Sequence, residues 1–405
     1  VSAVCVTGLV TVIPAEQFTL LGKIILMLLI QIGGLGVIAC TMAFFLALRR
    51  KITMKDRVMI QQAYGLDTLT GLVRFVIRIL KGTLLVEGIG AILFSIKFVP
   101  EYGLYRGIGY GIFHAISAFC NAGIDILGNN SFIDYVSSPL MNFTTMFLIV
   151  MGGLGFPVWH NIRVNTQKVW RGKEPKARLW SRLGLQSKIV LTMTAALILL
   201  GTVGFFLLEY NNPETMKEFS AGQKLMASAF QSVTTRTAGF AAVPQSELTE
   251  GSRLLGCILM FIGGSSIGTA GGIKTTTIAT LFLSTRAIVK GKTHLVVFRK
   301  NIPHQTVTKA LAVTMVSISF LLLASVGLYQ AEGGSMVDVV YETTSALATV
   351  GLTRDYTSKL HLLGKLIIIV CMYLGRIGPI SMVIFFNKER KKDLVSFPHE
   401  DINVG

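Results

Sequence analysis

Charged residues are scarce in this chain. They make up 15% of its 405 residues, where a soluble domain carries about a quarter. Acidic residues are the scarcer sign, 21 Asp and Glu against 38 Lys and Arg, for a net charge of +17. Histidines number only 6, and no Ser/His/Asp set or paired-carboxylate arrangement stands out among them and the few acids, so a hydrolase-type site is not indicated. The five cysteines, Cys5, Cys40, Cys120, Cys257 and Cys371, form no C-x-x-C pair. That argues against a disulfide framework and a zinc site and leaves small buried thiols. These shortages exclude a disordered chain, a disulfide-rich secreted module and an ordinary cytosolic enzyme. What is abundant is apolar: 52% hydrophobic residues and 41 glycines, with a mean hydropathy of +0.62. The composition is that of an integral membrane protein.

Apolar stretches of membrane-spanning length lie near 19–48, 71–97, 140–161, 187–209, 307–329 and 361–386, and a seventh near 253–289 is interrupted by Gly, Ser and Thr. Basic residues gather in four connections: Arg49 to Arg57, Arg163 to Arg182, Arg286 to Lys300, and Lys388 to Lys392. The positive-inside rule puts all four in the cytoplasm, so the net charge is a topology signal rather than a mark of nucleic-acid binding. The acidic or neutral segments EYNNPETMKEF (209–219) and QAEGGSMVDVV (330–340) face outside. Two spans separate successive basic loops, so each outer connection must return to the membrane. The half-length apolar segments there are too short to cross and read as re-entrant elements, which need protein or water around them.

Self-comparison finds these re-entrant segments repeated. SAVCVTGL (2–9), SAFCNAGI (117–124), TTRTAGF (234–240) and SALATVGL (345–352) align on Gly8, Gly123, Gly239 and Gly351, which are 115, 116 and 112 residues apart. A second motif follows each, in what reads as the middle of the next helix: QIGGLGVI (31–38), VMGGLGFPV (150–158), FIGGSSIGTAGG (261–272) and YLGRIGPI (373–380). The expected fold is an all-α membrane protein of four parallel helix–re-entrant loop–helix repeats around one pseudo-fourfold pore. The repeats are placed at 1–57, 58–182, 183–300 and 301–392, with a tail at 393–405. The first lacks its outer helix, so the intact protein is expected to continue N-terminally by about 20 apolar residues.

Four re-entrant loops around an axis build a ring of backbone carbonyls, which replaces the hydration shell of a monovalent cation. Glycine permits the backbone conformations that turn successive carbonyls inward, and the half-helices aim their partially negative C-termini at the ion. No Asp or Glu sits at the four glycines, which disfavours a carboxylate ring. The filter is therefore assigned to Val6, Thr7 and Gly8; Asn121, Ala122 and Gly123; Thr237, Ala238 and Gly239; and Thr349, Val350 and Gly351.

These loops resemble the degenerate filter repeats of the Trk/Ktr/HKT superfamily of potassium transporters. TTRTAGF followed by GGSSIGTAGGIKTTT resembles the third repeat of the bacterial Ktr/Trk membrane subunits, and the length and the ending FPHEDINVG look most like the Ktr membrane subunit (KtrB type). The resemblance implies K⁺ uptake through a pore in each subunit of a homodimer in the bacterial cell membrane. It also implies a cytosolic RCK-type ring (KtrA type) that carries the ATP or ADP sites. Na⁺ dependence, a TrkH-type assembly and a Na⁺-permeable relative stay open. Relatives that prefer Na⁺ often have Ser at the first filter position, so Gly8 favours K⁺. In the family the tail packs at the dimer interface; a free tail is the alternative.

The broken third inner helix holds five glycines within residues 263–272, each costing a straight helix about 1 kcal/mol against Ala. The resemblance implies that this loop is the gate: Gly263, Gly264, Ser265, Ser266, Gly268, Thr269, Ala270, Gly271 and Gly272. Arg376 lies mid-membrane, where a charge is a functional candidate, and the family places it at the pore, holding the gate loop. Lys274 either touches the gate or snorkels. Arg236 is expected behind the filter, and Glu342 and His114 packed in pore half-helices. Glu87 should have a buried partner, and Asp125 and Asp355 sit at the mouth or on solvated surface. GTAGGIKTTT (268–277) mimics a phosphate-binding loop, but Ile273 intervenes before Lys274 and no strand precedes it.

Overall fold

The computed structural model describes residues 1–36, 39–42, 45, 53–63, 71–128, 130–171, 175, 179–292 and 294–378. Among the described residues, three long helices form the outside: α3 (Leu72–Tyr102), α7 (Leu185–Glu209) and α11 (His304–Glu332). At 25 to 31 residues they reach about 38–46 Å, enough for a hydrocarbon core of about 30 Å. Their outward faces are bare and apolar, with Leu84, Ile92, Leu200 and Leu323 all well exposed.

Each long helix turns back into a shorter, deeply buried one: α4 (Leu104–Phe119), α8 (Ala221–Thr234) and α12 (Met336–Leu347). A single turn, α1 (Ser2–Cys5), takes the same place in the first repeat. α8 starts at a capping box, with Ser220 and Gln223 satisfying each other's backbone N–H. α1, α4 and α12 end in one shared way. The residue two before the filter glycine takes a left-handed conformation, and the next N–H reaches back five residues: Thr7 to Ser2, Ala122 to Ser117 and Val350 to Ser345, at 2.8–2.9 Å. This is a Schellman ending with non-glycine residues in the left-handed seat.

Four inner helices follow: α2 (Leu20–Leu35), α5 (Pro139–Gly153), α9 (Glu250–Phe261) and α13 (Leu362–Ile377). None passes through its glycine motif. The sequence places that motif mid-helix, and the structure corrects it. Gly36, Gly155 and Gly378 share φ of 85°, 87° and 89° and ψ of 145°, 140° and 139°. No α-helix continues through that backbone, which only glycine adopts freely. After Gly155 the chain continues as α6 (Phe156–Trp170), bent by 97° from α5, so the expected straight span 140–161 is two helices. After α9 the chain loops through 262–274 and resumes as α10 (Thr275–Val289). The basic connection after α10 holds an antiparallel hairpin, β1 (Leu295–Val297) with β2 (Lys300–Ile302). Its turn residue Phe298 packs on Trp180 and under Lys188. The expected segments Lys388–Lys392 and 393–405, and Arg49, Arg50, Lys51, Lys173, Lys176 and Arg178, lie outside the described residues.

Candidate ion-conduction site

The four loop glycines come together in one ring. A methyl group placed on Gly8 would lie 2.6 Å from the carbonyl oxygen of Ala122, and one on Gly123 2.5 Å from that of Ala238. Methyls on Gly239 and Gly351 would meet the carbonyls of Val350 and Thr7. Each glycine thus faces the carbonyl just before the glycine of the next loop, and the fourth loop closes on the first. All four glycines have positive φ, 103°, 62°, 84° and 97° in chain order, as do Val6, Asn121, Thr237 and Thr349 two residues earlier. A side chain at the glycines is excluded twice, by conformation and by the neighbouring loop. The other eight residues assigned to the filter are buried, and Asn121 ties loop to loop, its side-chain amide 3.4 Å from Thr237 Oγ1.

Hydroxyls on the pore helices brace the loops from behind. Gly8 N–H donates to Ser2 Oγ (3.0 Å) and Gly351 N–H to Ser345 Oγ (3.1 Å). Ser117 donates to the carbonyl of Ile124 and Thr234 to that of Phe240, both at 2.6 Å. These four residues escaped the sequence reading. Three of them open the repeated Ser-Ala of SAVC, SAFC and SALA, so the signal was in the motif itself. Glu342 is fully buried on α12. Its carboxylate accepts from Thr353 Oγ1 at 2.9 and 3.1 Å and contacts the Thr357 hydroxyl. It clamps the segment just past Gly351. His114, at the equivalent place on α4, receives the N–H of Ile126 at 3.5 Å. Arg236 is buried and reaches Thr194 of α7 at 3.3 Å. Glu87 accepts from Gln31 at 3.2 Å. Gln231, Gln245 and Tyr341 form a buried hydrogen-bonded network between α8 and α12.

Above the ring lies a cavity of about 490 Å³, bordered by all four filter glycines and by Asp125 and Asp355. Below it the loop 262–274 packs against the fourth loop of the ring, since a methyl on Gly271 would run into Thr349 Oγ1 and the Ala348 carbonyl. Within the loop, Ile273 N–H returns to the Phe261 carbonyl (3.1 Å), and Lys274 Nζ donates to the carbonyl of Ala270 (2.8 Å). Arg376, in the last turn of α13, donates from Nη1 to the Thr269 carbonyl (2.5 Å) and from Nη2 to the carbonyls of Gly33 and, at 3.4 Å, Gly34. One guanidinium fork joins three repeats. The hydroxyls of Thr7, Thr349, Ser265 and Thr275 are buried with no hydrogen-bond partner among the described residues.

A helical bundle around a closed ring of four glycine loops defines a multi-pass membrane transporter of ions, not an enzyme. The chain belongs to the TrkH family of cation transport proteins, whose family model matches residues 1–396. It is 37% identical to the Ktr system potassium uptake protein B of Bacillus subtilis, over 100% of this chain and 88% of that one. It is 36% identical to the potassium/sodium uptake protein NtpJ of Enterococcus hirae, with the same coverage of 100% and 88%. The fold matches the crystal structure of the potassium transporter TrkH from Vibrio parahaemolyticus with a TM-score of 0.70 at 18% identity, over 95% of this chain and 76% of that one.

Proposed function

We propose that this chain is the ion-translocating subunit of a potassium uptake system, conducting K⁺ through the ring at Gly8, Gly123, Gly239 and Gly351. The observation that carries the reading is the closed contact cycle, in which each glycine lies against the carbonyl of the next loop. Carbonyl oxygens around such a ring replace the water of a monovalent cation without a fixed charge that would trap it. The outer cavity with Asp125 and Asp355 concentrates cations at its mouth. Glycine at all four positions, and the potassium named in both relatives, favour K⁺ over Na⁺ as the preferred cargo. One glycine per loop, with differing flanks, makes fewer ion sites than a multi-site channel has, so discrimination against Na⁺ is modest. The name of the Enterococcus relative keeps Na⁺ entry or Na⁺ dependence as the second reading.

In this reading the loop 262–274 is the gate and Arg376 its clasp. The carbonyl contacts of Arg376 hold the loop across the path, and its charge repels a resting cation. The chain pairs as a homodimer. The exposed basic residues Arg163, Lys168, Arg171, Arg286 and Lys290 receive a cytosolic RCK-type ring (KtrA type), on which ATP or ADP binds. Flux of K⁺ and of Na⁺ into liposomes carrying the purified protein, with and without that ring, tests the whole. K⁺ flux above Na⁺ flux that responds to the ring is expected, and flux of neither ion sinks the reading.

A further inference from the structure

The loop 262–274 is held from two sides. Arg376 takes one side. The other is the gap between α5 and α6. A helix that stops leaves carbonyls without intrahelical donors, and one that starts leaves N–H groups without acceptors. At the 97° break these orphan groups are taken by the loop. The Gly153 carbonyl receives Ser265 N–H at 2.9 Å, and the Gly152 carbonyl receives Thr269 N–H at 3.3 Å. Phe156 N–H, the first of α6, donates to the Ile267 carbonyl at 2.9 Å. Thr269 is therefore gripped on both faces, its N–H by Gly152 and its carbonyl by Arg376.

The surfaces meet glycine to glycine. A methyl on Gly155 would lie 2.5 Å from the Ser266 carbonyl, and one on Gly268 would lie 2.9 Å from the Gly152 carbonyl and 3.1 Å from Gly155 Cα. Gly36 and Gly378 have the same backbone conformation at the equivalent places of the first and fourth repeats. A methyl on either meets nothing within 4 Å among the described residues. The helix-ending glycine conformation recurs in three repeats, and in the second the loop lies against it.

We infer that the break between α5 and α6 is a built seat for the closed loop, with Gly155 and the Phe156 N–H as positioning residues for the gate. This rests on reading the loop as the gate. It follows that α6 is part of the gating machinery. It carries Phe156 at one end and the exposed Arg163, Lys168 and Trp170 toward the other. A shift of α6 withdraws the Phe156 N–H from the Ile267 carbonyl and opens the seat, which leaves the loop on the two α5 carbonyls alone.

Resting K⁺ flux in liposomes at matched protein content tests this. Deleting Gly268 to Ala270 reports on the gate itself and raises flux. Gly155→Ala raises resting flux about tenfold, equivalent to about 1.4 kcal/mol of lost seating. Gly36→Ala and Gly378→Ala impose the same backbone penalty and leave resting flux within about twofold, less than 0.5 kcal/mol on the same conversion. If Gly155→Ala does not fold, Phe156→Pro removes the donated N–H at a position where proline suits a helix start. It raises flux above Phe156→Ala, which keeps the N–H. The seat is overturned if the deletion raises flux while Gly155→Ala matches Gly378→Ala, or while Phe156→Pro matches Phe156→Ala. If the deletion leaves flux unchanged, the loop is not a gate and the inference falls with that reading.

Discussion

Arg376 spends its one charge on backbone carbonyls. Two belong to α2 and one to the loop below the filter. Charge-assisted hydrogen bonds of this kind contribute about 1.5–3 kcal/mol each. Arg376→Ala therefore frees the loop and removes a repelling charge together, and resting K⁺ flux should rise roughly tenfold or more. Arg376→Lys keeps the charge but loses the planar fork that reaches the α2 carbonyls and the loop carbonyl at once, and it should fall between wild type and Ala. Rubidium uptake into liposomes at equal protein content measures both, and unchanged or lower flux in the Ala variant counts against the clasp. Glu342 makes a different test. Its carboxylate holds Thr353, two residues past Gly351. Glu342→Gln keeps an acceptor for that hydroxyl. Glu342→Leu leaves the buried Thr357 hydroxyl without its carboxylate acceptor, at about 1–3 kcal/mol. The Leu variant should lose discrimination between K⁺ and Na⁺ in reversal-potential measurements, and the Gln variant should retain most of it. Arg376 could be found from the chain alone, because a charge within an apolar run is conspicuous. The partners of Glu342 could not, because a threonine eleven residues away carries no signal of its own.

The inner helices show where periodicity misleads. Hydropathy runs unbroken through QIGGLGVI and VMGGLGFPV, so both read as the middle of a span. Hydropathy senses burial, and the apolar character does not stop where the backbone turns. The terminator was present as the second glycine of G-x-G, with Pro157 two residues on in the second repeat, where proline opens a helix. The third repeat has Ser266 at that place and a longer loop instead, and its many glycines did mark a break. Removing Gly268 to Ala270 from that loop should raise resting flux and reduce the difference made by a cytosolic regulator. Flux recorded with and without the regulator checks both, and a variant that keeps full regulator dependence contradicts a gating role. The hairpin of β1 and β2 was hidden in a basic connection. Its turn places Phe298 and Arg299 at φ of 47° and 64°, a conformation usually given to Asn or Gly, so the usual turn residues were missing.

The ring is a property of the whole chain. Gly8 and Gly351 stand at opposite ends of the sequence, yet the fourth loop closes on the first. An ion bound between four repeats stabilises all of them only in the folded state. Raising K⁺ to about a hundred times its dissociation constant should add about 2.7 kcal/mol to stability. The unfolding temperature in detergent should therefore climb with K⁺ more than with equal Na⁺ or choline. Equal shifts for all three salts would leave the ring without a specific cation site. The recurring loop motif, the four glycines that meet in the ring, the broken third helix and the out-of-place arginine were legible along the chain, because each is a local departure from an apolar pattern that recurs or stands alone. The order in which the loops meet, the seat for the loop between α5 and α6, and the hydroxyl and carboxylate braces were not. Those depend on backbone carbonyls and N–H groups, which every residue carries alike. Only their placement in space, by helices that stop at particular glycines, tells one from another.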